Sequence, residues 1–191
     1  MIDKIKQAFA KKNYKWDENF NIVGIRNCNP NVYNKITNVF DDLITLSYKD
    51  AEGNWQYKEW KATTEPGKKG AEKYRAAKGV AVLIPNQYSK AYMIDKHQGK
   101  YTALCQRIRP VSVWRDSNKD LVIDKTVIDT GMFGINIHKA GVDSTWVENW
   151  SEGCQVFKRV KDFDEFMALC QNHFKHHGNI FSYTLLESTD L

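Results

Sequence analysis

Cys154 and His138 are the residues whose types and spacing suit covalent chemistry. Cys154 lies in Ser151-Glu152-Gly153-Cys154-Gln155-Val156-Phe157, and His138 ends the strand-like run Gly134-Ile135-Asn136-Ile137-His138, with a long polar loop between them. A thiol becomes a strong nucleophile where an imidazole or a positive field favours the thiolate. Gly153 lets the backbone beside the sulfur approach a substrate carbonyl. Amide N–H groups around such a turn can face the oxygen that becomes negative in a tetrahedral intermediate. The chemistry these residues suit is acyl transfer through a cysteine.

On these residues the chain resembles the L,D-transpeptidase catalytic domain family, in which a strand-end histidine is followed, after a loop, by Ser-X-Gly-Cys. The matching positions are His138, Ser151, Gly153 and Cys154, and the 16-residue separation of His138 and Cys154 is within the family's range. Thr64-Glu65-Pro66-Gly67 is a weaker likeness to the family's Thr-Pro-X-Gly segment. The resemblance spans roughly residues 60 to 160, leaving out the first sixty residues and the C-terminal helix and strand. It implies an α+β, mainly β fold, an L,D-transpeptidase-like β-sandwich with a few peripheral helices. It also implies a Cys154 thiolate attacking a peptidoglycan stem-peptide carbonyl, His138 as general base, and Lys139 orienting the imidazole through its backbone carbonyl. Gly153, Ser151, Gln155, Asn136 and Trp150 are the residues expected around the oxyanion and substrate, and no cofactor or metal is expected. The sequence departs from the family at Glu152, where many members have His, and at Val156, where Arg or Asn is usual.

An acyl-enzyme is resolved by an amine, giving cross-links, or by water, giving carboxypeptidase or endopeptidase action. The N-terminus, Met1 to Phe9, has charge in every turn and does not read as a secretory signal. The expectation is therefore synthesis in the cytoplasm and delivery to the bacterial cell wall, which favours a lytic hydrolase over a wall-building transpeptidase. The rival is a non-catalytic module that holds glycan or nucleic acid on the same fold, and Glu152 and Val156 are its best support.

The remaining chemistry-bearing residues have plainer readings. Cys105 and Cys170 read as core thiols, with Cys28 at a strand end. His97, in Asp95-Lys96-His97-Gln98-Gly99-Lys100, reads as a solvated turn residue, and His173, His176 and His177 as helix-end side chains that meet the helix dipole. Trp146 and Trp150 either wall the site or pin its loop. Asp116, Asn118, Asp120 and Asp124 stand at the first, third, fifth and ninth positions of a calcium loop, but Leu121 and Val127 replace its Gly and Glu. An Asp/Asn-rich turn is the favoured reading there, and no metal is assigned.

Positioning these residues falls to a chain of 191 residues, long enough for one domain and too short for two comfortable ones. Its net charge of +5 is spread along the sequence, so no nucleic-acid arm is expected. The longest apolar run, Val80 to Pro85, falls far below the roughly 20 residues of a membrane helix. Apolar periodicity predicts helices over 2–12, 31–42 and from Asp162 to Phe174, the last with Asp162 and Glu165 as a capping pair. Strands are expected at 20–25, 79–85, 91–95, 101–108, 110–115, 121–124, 131–138 and 180–186. Residues 43–49 and 55–64 form a hairpin around Asp50-Ala51-Glu52-Gly53-Asn54, and residues 65–78 form an exposed loop.

Overall fold

Short runs of β-branched and aromatic residues, separated by Gly, Asn and Asp, become strands and carry most of the architecture. In the computed structural model, which describes residues 1–27, 34–74 and 78–191, α1 (Ile2–Lys11) leads into β1 (Phe20–Arg26) and the hairpin β2 (Asp42–Lys49) and β3 (Trp55–Thr63). A short α2 (Lys68–Lys73) precedes β4 (Val80–Leu83), β5 (Gln87–His97), β6 (Tyr101–Gln106), β7 (Val111–Asp116) and β8 (Ile128–Gly131). The two shortest strands, β9 (Ile137–Lys139) and β10 (Gln155–Phe157), come next, and α3 (Val160–His177) and β11 (Phe181–Glu187) complete the order. The fold is mainly β with two sheets and peripheral helices, as the sequence implies.

The larger sheet runs β1-β11-β5-β6-β9-β10-β3-β2 and closes on itself, while β4-β7-β8 forms the second. Two pairings in the closed sheet are parallel: β1 with β11, Ile22 opposite Tyr183, and β9 with β10, Ile137 opposite Gln155. The second sheet packs Ala81, Leu83, Val111 and Val113 into the same core as Ile44, Leu46, Tyr92, Leu104 and Phe157. Each fully buried aliphatic side chain there contributes about 1.5–3 kcal/mol. Helix α3 adds Phe163, Phe166 and Cys170 to that core, and Cys105 is buried in it too. Helix α1 packs Ile5, Ala8 and Phe9 on Val23, Ile25 and Leu186. No helix among the described residues is long and apolar enough to cross a membrane.

Several expected elements are replaced. Residues 34–42 are not helical: Asn34 and Asn38 take positive φ, and Lys35 and Val39 make isolated bridges to Val122 and Trp146. Their apolar side chains serve two clusters, Ile36 beside Val80 and Val82 and Phe40 beside Val147 and Val156, which one helical stripe cannot do. Residues 31–33 of that expected helix, and Cys28, lie outside the described residues. The expected loop at 65–78 contains α2, whose Gly70 and Ala71 are buried. Residues 121–124 contribute a bridge rather than a strand, and 131–138 divides between β8 and β9 in different sheets.

Helix α3 starts at Val160, and Asp162 accepts from the Arg159 guanidinium at 2.8 Å instead of capping. Glu165 reaches across to Trp60 and Lys58. At the other end of α3, His176 and His177 lie in the last turn, whereas His173 stacks between Phe20 and His177.

Candidate active site

The parallel pairing of β9 and β10 brings together two residues far apart in sequence. Val156 pairs with His138 and Gln155 with Ile137, so Cys154 enters the ladder beside Asn136. Because side chains alternate along strands, Cys154 and His138 lie on one face, diagonally across the pair. Both line a cleft of about 810 Å³. Cys154 is partly exposed, and His138 is buried apart from its edge on the cleft.

His138 Nδ1 lies 2.9 Å from the Lys139 carbonyl oxygen. A carbonyl only accepts, so Nδ1 carries the ring proton and Nε2 keeps its lone pair. Tyr101 supports this arrangement, its hydroxyl donating to the same carbonyl at 3.3 Å. The Lys139 carbonyl thus stands where the family resemblance implies an orienting group, while its ammonium turns to Asp164 at 3.7 Å. Burial, reinforced by His97, lowers the His138 pKa to about 3, so the ring is neutral at ordinary pH.

Cys154 faces the backbone rather than the imidazole. Its Sγ donates to the Gly134 carbonyl at 3.5 Å, and no hydrogen bond joins it to His138 among the described residues. Burial pushes its pKa up to about 11, and Glu152 adds to the rise, outweighing the Asn136 backbone amide and Arg107, which act the other way. The resting pair is thiol and neutral imidazole. For Cys154 to attack a carbonyl from this state, proton transfer to Nε2 would have to accompany the attack rather than precede it.

The turn before Cys154 is held from three sides. Ser151 is buried; its Oγ accepts from Gly153 N–H at 3.1 Å and donates to the Cys154 carbonyl at 2.8 Å. Gly153 has a φ of 132°, and a Cβ there would lie 2.4 Å from the Ala81 carbonyl oxygen. Gly67 and Gly70 at α2 press against the backbones of Glu148 and Ser151, with Gly67 N–H donating to Ser151 O at 2.9 Å. The Thr64–Gly67 segment therefore buttresses the turn before Cys154. Asn38 ties the loop down further, its Oδ1 accepting from Lys68 N–H and Glu148 N–H, both at 2.8 Å.

These contacts change several expected roles. Ser151 braces the turn and does not reach the cleft, and the Gly153 N–H is engaged by it rather than free for an oxyanion. The Cys154 N–H has no intramolecular acceptor among the described residues, so it is the amide left for that task. Gln155 points into the barrel, where its Oε1 accepts from Tyr183 at 2.9 Å, and makes no contact in the cleft. Asn136 and Trp150 do line the cleft. Trp150 lies over Gly141, whereas Trp146 is exposed outside the cleft, bridged to Val39.

Three residues matter that sequence reasoning missed. His97, expected in solvent, is buried and stacks on His138 with ring centroids 4.1 Å apart. Its Nδ1 accepts from Asn136 Nδ2 at 3.0 Å, and Asn136 Oδ1 accepts from the Gln106 N–H at 2.9 Å. The Gln106 side chain is the second: its Oε1 accepts from the N–H groups of Phe133, Gly134 and Ile135 at 3.2, 2.9 and 3.1 Å. That grip sets the Gly134 carbonyl that receives the Cys154 thiol. Tyr101 is the third. An asparagine two residues before His138, and polar residues at the ends of β5 and β6, were the only signals for this network.

Comparison with family models, curated proteins and solved structures gives no match. The assignment rests on the site itself. Around Cys154 the cleft carries Lys100, Arg107, Arg115 and Lys139 against one carboxylate, Glu152. Arg107 and Arg115 are partly offset by Asp95 and Asp129. The arrangement can hold an anionic substrate, direct a sulfur at a carbonyl and accept a proton on His138.

Proposed function

We propose that this chain is a cysteine-dependent acyl-transfer enzyme of L,D-transpeptidase type acting on peptidoglycan stem peptides, and that it hydrolyses rather than cross-links. The observation that carries the reading is the His138 Nδ1 bond to the Lys139 carbonyl on the strand beside Cys154, which leaves Nε2 able to take a proton in the same cleft. In the reaction the Cys154 S–C bond forms, the thiol proton passes to Nε2, and the amide C–N bond breaks as His138 protonates the leaving amine. Water then attacks the thioester and restores the thiol. The basic lining suits the carboxylates of a stem peptide, and an open cleft admits water as the acceptor.

A second reading, a binding module on the same fold, is favoured by the high thiol pKa and by the absence of a Cys154–His138 hydrogen bond among the described residues. Mass spectrometry of purified muropeptides incubated with the protein and with Cys154→Ala separates the readings. Loss of stem residues or cross-links with the wild type alone establishes hydrolysis. Newly joined stems establish transpeptidation, and no change over a range of stem types leaves the binding module.

A further inference from the structure

On the side of the second sheet, β7 ends in Asp116, and its carboxylate has no outlet. The residue is 2 % exposed, both oxygens are buried without a hydrogen-bond partner, and no ion pair among the described residues reaches it. A buried, unpaired carboxylate is expensive to keep ionised, and it is relieved either by a proton or by a cation. The next residues of the chain favour a cation: Asn118, Asp120 and Asp124 place oxygen donors at the third, fifth and ninth positions after an aspartate at the first.

The loop backbone turns where such spacing requires it, and turns also at Lys119, at φ 64°. Calcium loops use Gly at the sixth position because the chain turns sharply there. Here Leu121 occupies that place and takes the left-handed conformation, at φ 65°. The eighth position, Ile123, is buried with Ile36, Val80 and Val82. Backbone bonds from Ile36 N–H to Leu121 O at 2.9 Å and from Ile123 N–H to Asn34 O at 2.6 Å tie the loop to the body.

We propose that residues 116–124 form a calcium-binding loop in which the ion neutralises the buried Asp116 carboxylate. The donors are mixed: the Asp116 and Asp120 carboxylates, the Asn118 amide oxygen, the Val122 carbonyl, and Asp124 through water. No three acidic, histidine or cysteine side chains among the described residues converge as the loop stands, so Asp116, Asp120 and Asp124 must draw together on the ion. With Val127 at the twelfth position the bidentate glutamate is missing, so the affinity belongs at the weak end, with a Kd of about 10⁻⁴–10⁻³ M. The inference is independent of the enzymatic reading.

The test is titration of the full chain with Ca²⁺ by calorimetry and with Tb³⁺ by luminescence sensitised through Trp114, whose ring packs beside Leu121 and Ile123. One saturable site is expected, with Ca²⁺ displacing Tb³⁺. Asp116→Asn and Asp120→Asn should each weaken it at least tenfold, and Val127→Glu should tighten it. Asp120 is exposed, so Asp120→Asn serves even if the Asp116 variant fails to fold. Absence of saturable binding up to about 10 mM Ca²⁺, ten times the weak limit, overturns the proposal. So does binding that Asp120→Asn leaves unchanged.

Discussion

The ring of His97 lies flat on the ring of His138, 22° from parallel, and Asn136 fixes both its height and its tautomer. Since the Asn136 amide nitrogen donates to His97 Nδ1, the His97 proton sits on Nε2, and the two imidazoles meet as neutral rings. Under the proposed mechanism a proton arriving on His138 enters a stack that lowers its pKa. The stack therefore favours rapid release of that proton to the leaving group.

His97→Phe, which keeps a flat ring against His138, should retain most activity on muropeptides. His97→Ala, which opens a gap, should lower kcat more than it raises KM and shift the acid limb of the pH profile. Equal losses in both variants would mean that the imidazole itself is needed and not merely a flat ring, whereas an unmoved pH profile in His97→Ala would reduce His97 to core filling.

The Cys154 thiol should alkylate slowly at neutral pH. Rates followed by mass spectrometry with iodoacetamide should climb as the pH approaches about 11, well above the midpoint near 8.5 of a free thiol. A half-maximal rate below about pH 7 would mean that the thiolate is already present, against the geometry.

His138 should make the protein acid-labile. Its folded pKa, about 3, lies below the ordinary 6.5, so between these values the unfolded chain binds a proton that the folded chain does not. Stability is therefore whole above pH 6.5 and declines as pH falls toward 3. His173, lowered to about 4 by burial, acts in the same direction, less strongly because it is half exposed. Urea denaturation at pH 7 and pH 4 should show a larger drop for wild type than for His138→Gln. Equal drops would contradict the buried neutral ring.

Gln106→Leu keeps the bulk of the side chain and removes the acceptor of three backbone N–H groups. Each buried donor left unpaired costs about 1–3 kcal/mol, so a loss of about 3 kcal/mol or more is expected in denaturant titration. Residual folded protein should also react differently at Cys154, because the Gly134 carbonyl loses its anchor. A loss under about 1 kcal/mol would show that the loop pairs elsewhere.

Local patterns made part of this legible. The hairpin of β2 and β3, helix α1 and the body of α3 come from period and turn chemistry within a dozen or so residues, and the structure keeps them. The pair Cys154 and His138 was visible because both lie in short motifs. What was hidden depends on distant pairings. Ile36 and Phe40 have helical spacing, yet they serve different clusters because Lys35 and Val39 bridge to Val122 and Trp146. His97 reads as a turn residue until β5, β6 and β9 are side by side, when Asn136 and His138 cover it. Gln106 has no motif at all, since its three partners arrive on a loop from 27 to 29 residues away.

The parallel seam between β1 and β11 sets the order in which this molecule can be assembled. Ile22 waits for Tyr183, so the strand that closes the barrel is the last of its strands to leave the ribosome. Until then β1 and β5 present open edges, the kind of surface that recruits other chains. Long-range pairing of this sort is slow. A chain cut before Phe181 should therefore accumulate in aggregates even though both Cys154 and His138 are present.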